Sequence, residues 1–279
     1  MTFINSTRVQ EIPSQFINRI MQGDCIEVMR QLPDASVDFI LTDPPYLVNF
    51  CDRSGRTLQN DDNDSWLKPA FAAAYRVLKQ DRLMLSFYGW TQVHKFMAAW
   101  NDAGFRVVGH LVFIKRYASK KRFAQYQHEQ AYLLAKGRPP LPEHAISDVR
   151  TFEYTGNSLH STQKPVTALA PVIRAFSLPG DVILDPFCGS ESTCAAALLT
   201  GRRYLGIELD SQHALTAQQR IERIQRRIEA KRSPPRLESP SSDFDRSAEQ
   251  HSCDSLRPQI ERPASMQMGA PPARYVISP

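Results

Sequence analysis

No two cysteines in this chain are spaced as CxxC, no basic leader followed by an apolar run opens it, and no stretch approaches the roughly 18 apolar residues of a membrane span. The five cysteines (Cys25, Cys51, Cys188, Cys194 and Cys253) have no matching histidines, so neither a zinc cluster nor a disulfide framework is indicated. No metal is expected, and reduced thiols in a cytoplasmic protein fit best. Internal repeats are lacking as well. What the chain does have is 279 residues, 42% of them apolar, enough for a sizeable core in one large domain or two small ones. A formal charge of +5 and a pI near 9.0 admit a polyanionic partner without requiring one.

Apolar runs and helical periods divide the chain. "SVDFILT" (36–42) reads as a buried parallel strand that Pro44 and Pro45 end abruptly. "LKPAFAAAYRVLKQD" reads as a helix over 67–81, "RLMLSFYG" as a strand, and "TQVHKFMAAWNDAGF" as a helix stopped by Gly104. Strands follow at "RVVGHLVFIK" and "EQAYLLAK", then a helix at "VTALAPVIRAFS", the strand "DVILDPF", the helix "STCAAALLT" and the strand "RRYLGIEL". "LTAQQRIERIQRRIEAKR" spaces Leu215, Ile221, Ile224 and Ile228 as one apolar stripe among charges, an amphipathic helix. Residues 1–19 read as an N-terminal extension, and residues 233–279, rich in Pro, Ser and Arg without apolar period, as a disordered tail. Strands alternating with helices predict an α/β fold with a mostly parallel sheet, whose chemistry lies beyond the carboxyl ends of the strands.

Three such ends carry informative residues. "DPPY", Asp43 to Tyr46, follows the first strand, and its two prolines present a carboxylate, the Pro44 carbonyl and an aromatic ring in a stiff array. That array suits an exocyclic amine on a nucleobase. Its lone pair is delocalised into the ring until acceptors take its hydrogens, after which it can turn toward an incoming methyl group. Tyr46 would stack on the extruded base. At the second end, "DVILD" runs into "PFCGS" and a helix start, where backbone N–H groups face any ligand above. At the third, the strand in "RRYLGIELD" ends with Glu208, nineteen residues beyond Gly189, the spacing of the acid that grips ribose hydroxyls in nucleoside-binding βαβ units.

This set of residues resembles the S-adenosylmethionine-dependent DNA amino-methyltransferases, in the circularly permuted order called the beta class, in which the DPPY element precedes the cofactor loop. The resemblance covers most of residues 20–232 and implies a Rossmann-like, seven-stranded, mostly parallel sheet with one antiparallel strand near an edge and helices on both faces. It implies Asp43, Pro44, Pro45 and Tyr46 as catalytic residues. It further implies Asp24 and Cys25 at the cofactor adenine, Thr162 and Lys164 (in "HSTQKPVTAL") near its methionine end, and Asp185, Phe187, Gly189 and Glu208 in the loop and ribose elements. Asp43 rather than Ser resembles enzymes of adenine N6, with cytosine N4 as the alternative. The implied partner is duplex DNA, with a homodimer left open and no membrane. Lys115, Arg116, Lys120, Lys121 and Arg122, interleaved with aromatics, are the candidate phosphate contacts, though a solvated loop reads the same way. Residues 137–160 fall where target recognition lies in the family, and the polar stretch "CDRSGRTLQNDDNDSW" (51–66), after Tyr46, is a candidate mobile cover for the flipped base.

One residue departs from the pattern. Glu191 stands where the family usually carries glycine after the Gly-Ser pair. A positive φ there would cost roughly 1 kcal/mol, and the side chain could fill the cofactor's space. Alternatively Ser190 caps the helix and Glu191 falls in its first turn, favoured by the helix dipole, or faces the cofactor's positive charge. The first alternative predicts a DNA-binding relative without transfer, the second an active enzyme. Methylation of RNA or of a protein glutamine is a third reading, which Asp43 disfavours.

Overall fold

A computed structural model of the chain describes residues 11–51, 55, 57–118, 123–152, 164–189 and 191–232. The expected tail at 233–279 and the site candidates Lys120, Lys121, Arg122 and Thr162 lie outside the described residues, as does Ser190.

In chain order the elements are β1 (Arg19–Gln22), α1 (Cys25–Arg30), β2 (Val37–Thr42), α2 (Leu67–Val77), β3 (Leu78–Phe87), α3 (Val93–Ala103), β4 (Arg106–Lys115), β5 (His128–Lys136), β6 (Val149–Phe152), α4 (Val166–Phe176), β7 (Val182–Asp185), α5 (Ser192–Leu199), β8 (Arg203–Glu208) and α6 (Ser211–Arg232). The sheet has eight strands, not the seven expected, in the order β1-β8-β7-β2-β3-β5-β4-β6. All run parallel except β5, which is antiparallel to both its neighbours. The two strands that showed no sequence signal, β1 and β6, are the sheet's edges, four residues each and partly exposed, so neither has the apolar run of a buried strand.

β2 is buried along its whole length because helices cover both faces of the sheet. On one side Met29, Phe71, Phe96 and Trp100 of α1, α2 and α3 pack together; on the other, Ile173, Ala196 and Ile221 of α4, α5 and α6 meet Tyr204. The helix expected over 67–81 stops at Val77. Leu78 pairs with Val37, and Lys79 reaches the buried Asp38 at 2.6 Å, so sheet pairing overrides the local helical preference of the last four residues. Ile12 and Phe16, ahead of β1, are buried in the core.

The order places the carboxyl ends of β2, β7 and β8 next to one another. β2 pairs with β7 through Ile40 and Leu184, and β7 with β8 through Asp185 and Gly206. DPPY, the 186–189 loop and Glu208 therefore open onto the same, carboxyl end of the sheet.

Candidate functional site

The three strand ends border a cleft of about 1670 Å³. A pocket for one small ligand holds roughly 300–1,000 Å³, so this one has room for two. Asp43, Pro44, Pro45 and Tyr46 line it together with Asp24, Cys25, Lys164, Asp185, Phe187, Gly189 and Glu208, so the described candidates from distant parts of the chain share one space.

At one side stands DPPY. Asp43 pairs through Oδ2 with Lys164 Nζ at 2.5 Å, and its Oδ1 accepts the Tyr46 hydroxyl at 2.8 Å. Lys164 is 7% exposed and lies near the rings of Phe87 and Tyr46. Burial disfavours its charge, but Asp43 and Glu129 outweigh that and hold its pKa above the ordinary lysine value. Tyr46 also lies 3.4 Å from Glu129 Oε2, a residue of β5 that sequence reasoning missed. Glu129 in turn is paired with Lys115 of β4. Burial pushes the Glu129 carboxyl up, but Lys164 and Lys115 prevail and hold it below the usual range. Lys115 corrects an expectation: it is 7% exposed, and its charge is balanced inside the cleft rather than offered to a phosphate. Arg116, next along, is exposed and lines the cleft.

Backbone packing fixes DPPY from behind. A Cβ at Gly89, just beyond β3, would sit 2.6 Å from the Tyr46 carbonyl oxygen and 2.8 Å from Tyr46 Cβ, so only glycine allows this approach. The polar stretch 51–66, expected as a mobile cover and described except for 52–54 and 56, supplies Asp61, which ties down residues 47–50 between it and DPPY. Asp61, 2% exposed, accepts the N–H groups of Leu47 (2.6 Å), Val48 (3.3 Å) and Phe50 (2.6 Å) on its carboxylate, and that of Asn49 on its carbonyl (3.3 Å). Trp66 donates to the carbonyls of Asn60 and Asn63 and packs edge-on against Phe187, with ring centroids 5.0 Å apart.

At the other side, Asp24 caps α1, its Oδ1 accepting from Ile26 N (2.8 Å) and Glu27 N (3.2 Å). Burial, then the Asp24 charge, pushes the Cys25 thiol up to about 12, so it is an apolar surface and not a nucleophile. Burial raises the Asp185 carboxyl to about 7, against the opposing Thr193 hydroxyl and Phe187 N–H. Gly189, at φ 48, donates its N–H to Glu208 Oε2 at 2.8 Å, and Asp210 N donates to Oε1 at 2.9 Å. The Glu208 carboxylate thus ties the loop to the end of β8. A Cβ at Gly206 would lie within 3.0 Å of both Cys188 Sγ and Cys194 Sγ, so β8 is packed flush under the loop.

Glu191 follows neither sequence alternative in full. It is not in the first turn of α5 but immediately before it, with a left-handed backbone at φ 59 and no side-chain cap. The expected positive φ is there, whereas the expected obstruction is not. The side chain, 1% exposed, points to α6 and pairs with Arg220 Nη1 at 2.5 Å, and it does not line the cleft. Burial raises its carboxyl to about 8, with Arg220 opposing.

Among the described residues no group of three or more His, Cys, Asp or Glu is arranged to hold a metal, and no helix is long and apolar enough to cross a membrane.

Comparison with known proteins gives the family. The family model of the N6/N4 DNA methylases matches residues 37–219. The YubD protein of Escherichia coli (strain K12) is 56% identical over 213 residues, covering 76% of this chain and 94% of that one. The type II methyltransferase M.HinfI of Haemophilus influenzae is 26% identical over 259 residues, covering 77% and 71%. Among solved structures, the M1.HpyAVI–SAM complex shares the fold with a TM-score of 0.59 at 22% identity, covering 73% of this chain and 98% of that one. The chain belongs to the DNA methylases of the N6/N4 amino-methyltransferase family.

Proposed function

We propose that this chain moves a methyl group from S-adenosylmethionine to an exocyclic amino group of a base flipped out of duplex DNA, adenine N6 in preference to cytosine N4. The observation that carries the reading is the single cleft bordered by the DPPY carboxylate on one side and by Asp24, the 186–189 loop and Glu208 on the other. Its volume suits two ligands, and Glu208 and Asp24 present carboxylates where a nucleoside's hydroxyls and amine need acceptors. Asp24 and Cys25 would border the cofactor adenine, Glu208 its ribose, and Asp185, Phe187 and Gly189 the segment between. Thr162 and Lys164 belong at the methionine end. When bound, this cofactor supplies an electrophilic methyl on a sulfonium.

The chain's own residues do the rest. Asp43 accepts a hydrogen of the target amine together with the Pro44 carbonyl, so the nitrogen's lone pair is withdrawn from the ring and aimed outward. Lys164 pairs with the Asp43 carboxylate and orients it. Tyr46 offers its ring face to the base. Arg116, with Lys120, Lys121 and Arg122, contacts phosphates, and residues 137–160 contribute to target choice. Acting on DNA, the protein works in the cytoplasm. That Glu191 turns away from the cleft favours an active enzyme over a DNA-binding relative without transfer.

Incubation with tritiated cofactor and duplex DNA, followed by nucleoside analysis, tests this. Label in N6-methyladenine is expected; label in N4-methylcytosine would reassign the base. Calorimetry that gives no cofactor binding by the wild type but clear binding by Glu191→Gly would sink the active-enzyme reading.

A further inference from the structure

We propose that Glu129 is a positioning residue for methyl transfer: it is the acceptor to which the Tyr46 hydroxyl moves when the target amine takes its place on Asp43. The inference rests on the methyl-transfer reading above and concerns a difficulty within it. The amine needs an oxygen of Asp43, yet both are engaged, Oδ2 by Lys164 at 2.5 Å and Oδ1 by Tyr46 at 2.8 Å.

Each oxygen has a second lone pair, but one that already accepts a short hydrogen bond is a weaker acceptor for another, so the amine is held best when one of these partners yields. Lys164 is the costly choice, because it is a buried ammonium with its charge balanced by Asp43 and Glu129, and removing a partner from such a group is strongly unfavourable. Tyr46 is the inexpensive one. Its hydroxyl is neutral and carries a single proton, which can be donated to one acceptor at a time. A second acceptor stands ready in Glu129 Oε2, 3.4 Å away against 2.8 Å for Asp43. Rotation of the O–H bond with a small ring displacement transfers the hydrogen bond from one carboxylate to the other. The Tyr46 ring stays in the cleft, and Oδ1 of Asp43 becomes free for the amine.

Glu129 is built to receive it. Lys115, itself buried, engages Oε1 and leaves Oε2 toward Tyr46. Together Lys164 and Lys115 keep the carboxyl ionised, so its oxygen carries no proton of its own to clash with the hydroxyl's. Without Glu129, the displaced hydroxyl would be left in the cleft wall with no partner, and the exchange on Asp43 would be opposed by that loss.

A double-mutant cycle on the full-length protein tests this, with kcat, cofactor affinity by calorimetry and melting midpoint measured for each variant. Glu129→Leu is expected to lower kcat by about 10- to 100-fold while cofactor affinity stays within twofold. Glu129→Gln, which keeps a carbonyl oxygen as acceptor, recovers most of that loss. In a Tyr46→Phe background there is no hydroxyl to move, so Glu129→Leu changes kcat by less than about twofold. Should Glu129→Leu unfold because Lys115 loses its partner, the comparison is made between Lys115→Met and Lys115→Met with Glu129→Leu. Equal losses with and without the Tyr46 hydroxyl, or a Gln variant as impaired as the Leu variant, overturn the role of Glu129 and leave the methyl-transfer reading standing. A wild type that moves no methyl overturns both.

Discussion

Glu191 holds a left-handed backbone that costs a non-glycine residue on the order of 1 kcal/mol, and its buried carboxyl has Arg220 of α6 as its charge partner. The pairing has a pH signature whose sign follows from the raised folded value, about 8 against an ordinary 4.5. Below pH 4.5 the group is protonated in both folded and unfolded chains. Between 4.5 and 8 the folded chain keeps a proton that the unfolded one has released, so this group's contribution to stability falls as pH rises. Arg220 limits the fall by favouring the charged form. Arg220→Met therefore pushes the folded value higher and lowers stability little at pH 5, but by about 1–3 kcal/mol at pH 9. Urea unfolding at the two pH values measures it, and in a Glu191→Gln background the difference between them should vanish. A loss larger at pH 5 would show that Arg220 does not act through this carboxyl. The sequence marks Glu191 as unusual, but it cannot say where the side chain points, because its partner belongs to a helix that is distant along the chain and is joined to it only by folding.

At the scale of elements, what was legible and what was not divide along one physical line. Strands buried on both faces announce themselves by continuous apolar runs, and helices such as α3 by period and a terminal glycine, with Gly104 at φ 99 ending α3 as expected. Edge strands β1 and β6, the early end of α2 and the partners Glu129, Arg220 and Gly89 depend on neighbours remote in sequence, and no local pattern encodes them. The segment after DPPY is the sharpest case. The polarity of 51–66 suggests a free loop, yet its Asp61 gathers four successive backbone N–H groups, from Leu47 to Phe50, and Leu47 and Asn49 hold left-handed backbones to allow it. Asp61→Ala removes three of those acceptor contacts and should destabilise the chain by about 2–4 kcal/mol. Because the freed segment continues DPPY, turnover on DNA should fall further than cofactor affinity. Urea unfolding, calorimetry and a transfer assay on the same variant check the three parts; equal losses of affinity and turnover would mean that the segment supports the cofactor side instead.

For the whole molecule, the distribution of charge bears on how DNA is held. Residues 233–279 contain five arginines and no lysine against six acids, a net −1, so with +5 for the full chain residues 1–232 carry +6. The positive field that a polyanion meets therefore belongs to residues 1–232, including Arg223, Arg226 and Arg227 on α6 and Arg116 at the cleft. The arginines of the last segment are interspersed with acids, which weakens any claim that it acts as a basic arm. Nor does it supply an apolar period that a core could bury. A chain ending at Arg232 should then melt within about 2 °C of the full-length protein. Phosphate contacts release counterions in proportion to their number, so the slope of log Kd against log salt for duplex DNA counts them. That slope should be the same for the two chains. A shallower slope in the shortened chain would place phosphate contacts in residues 233–279, and a lower melting midpoint would place part of the core there.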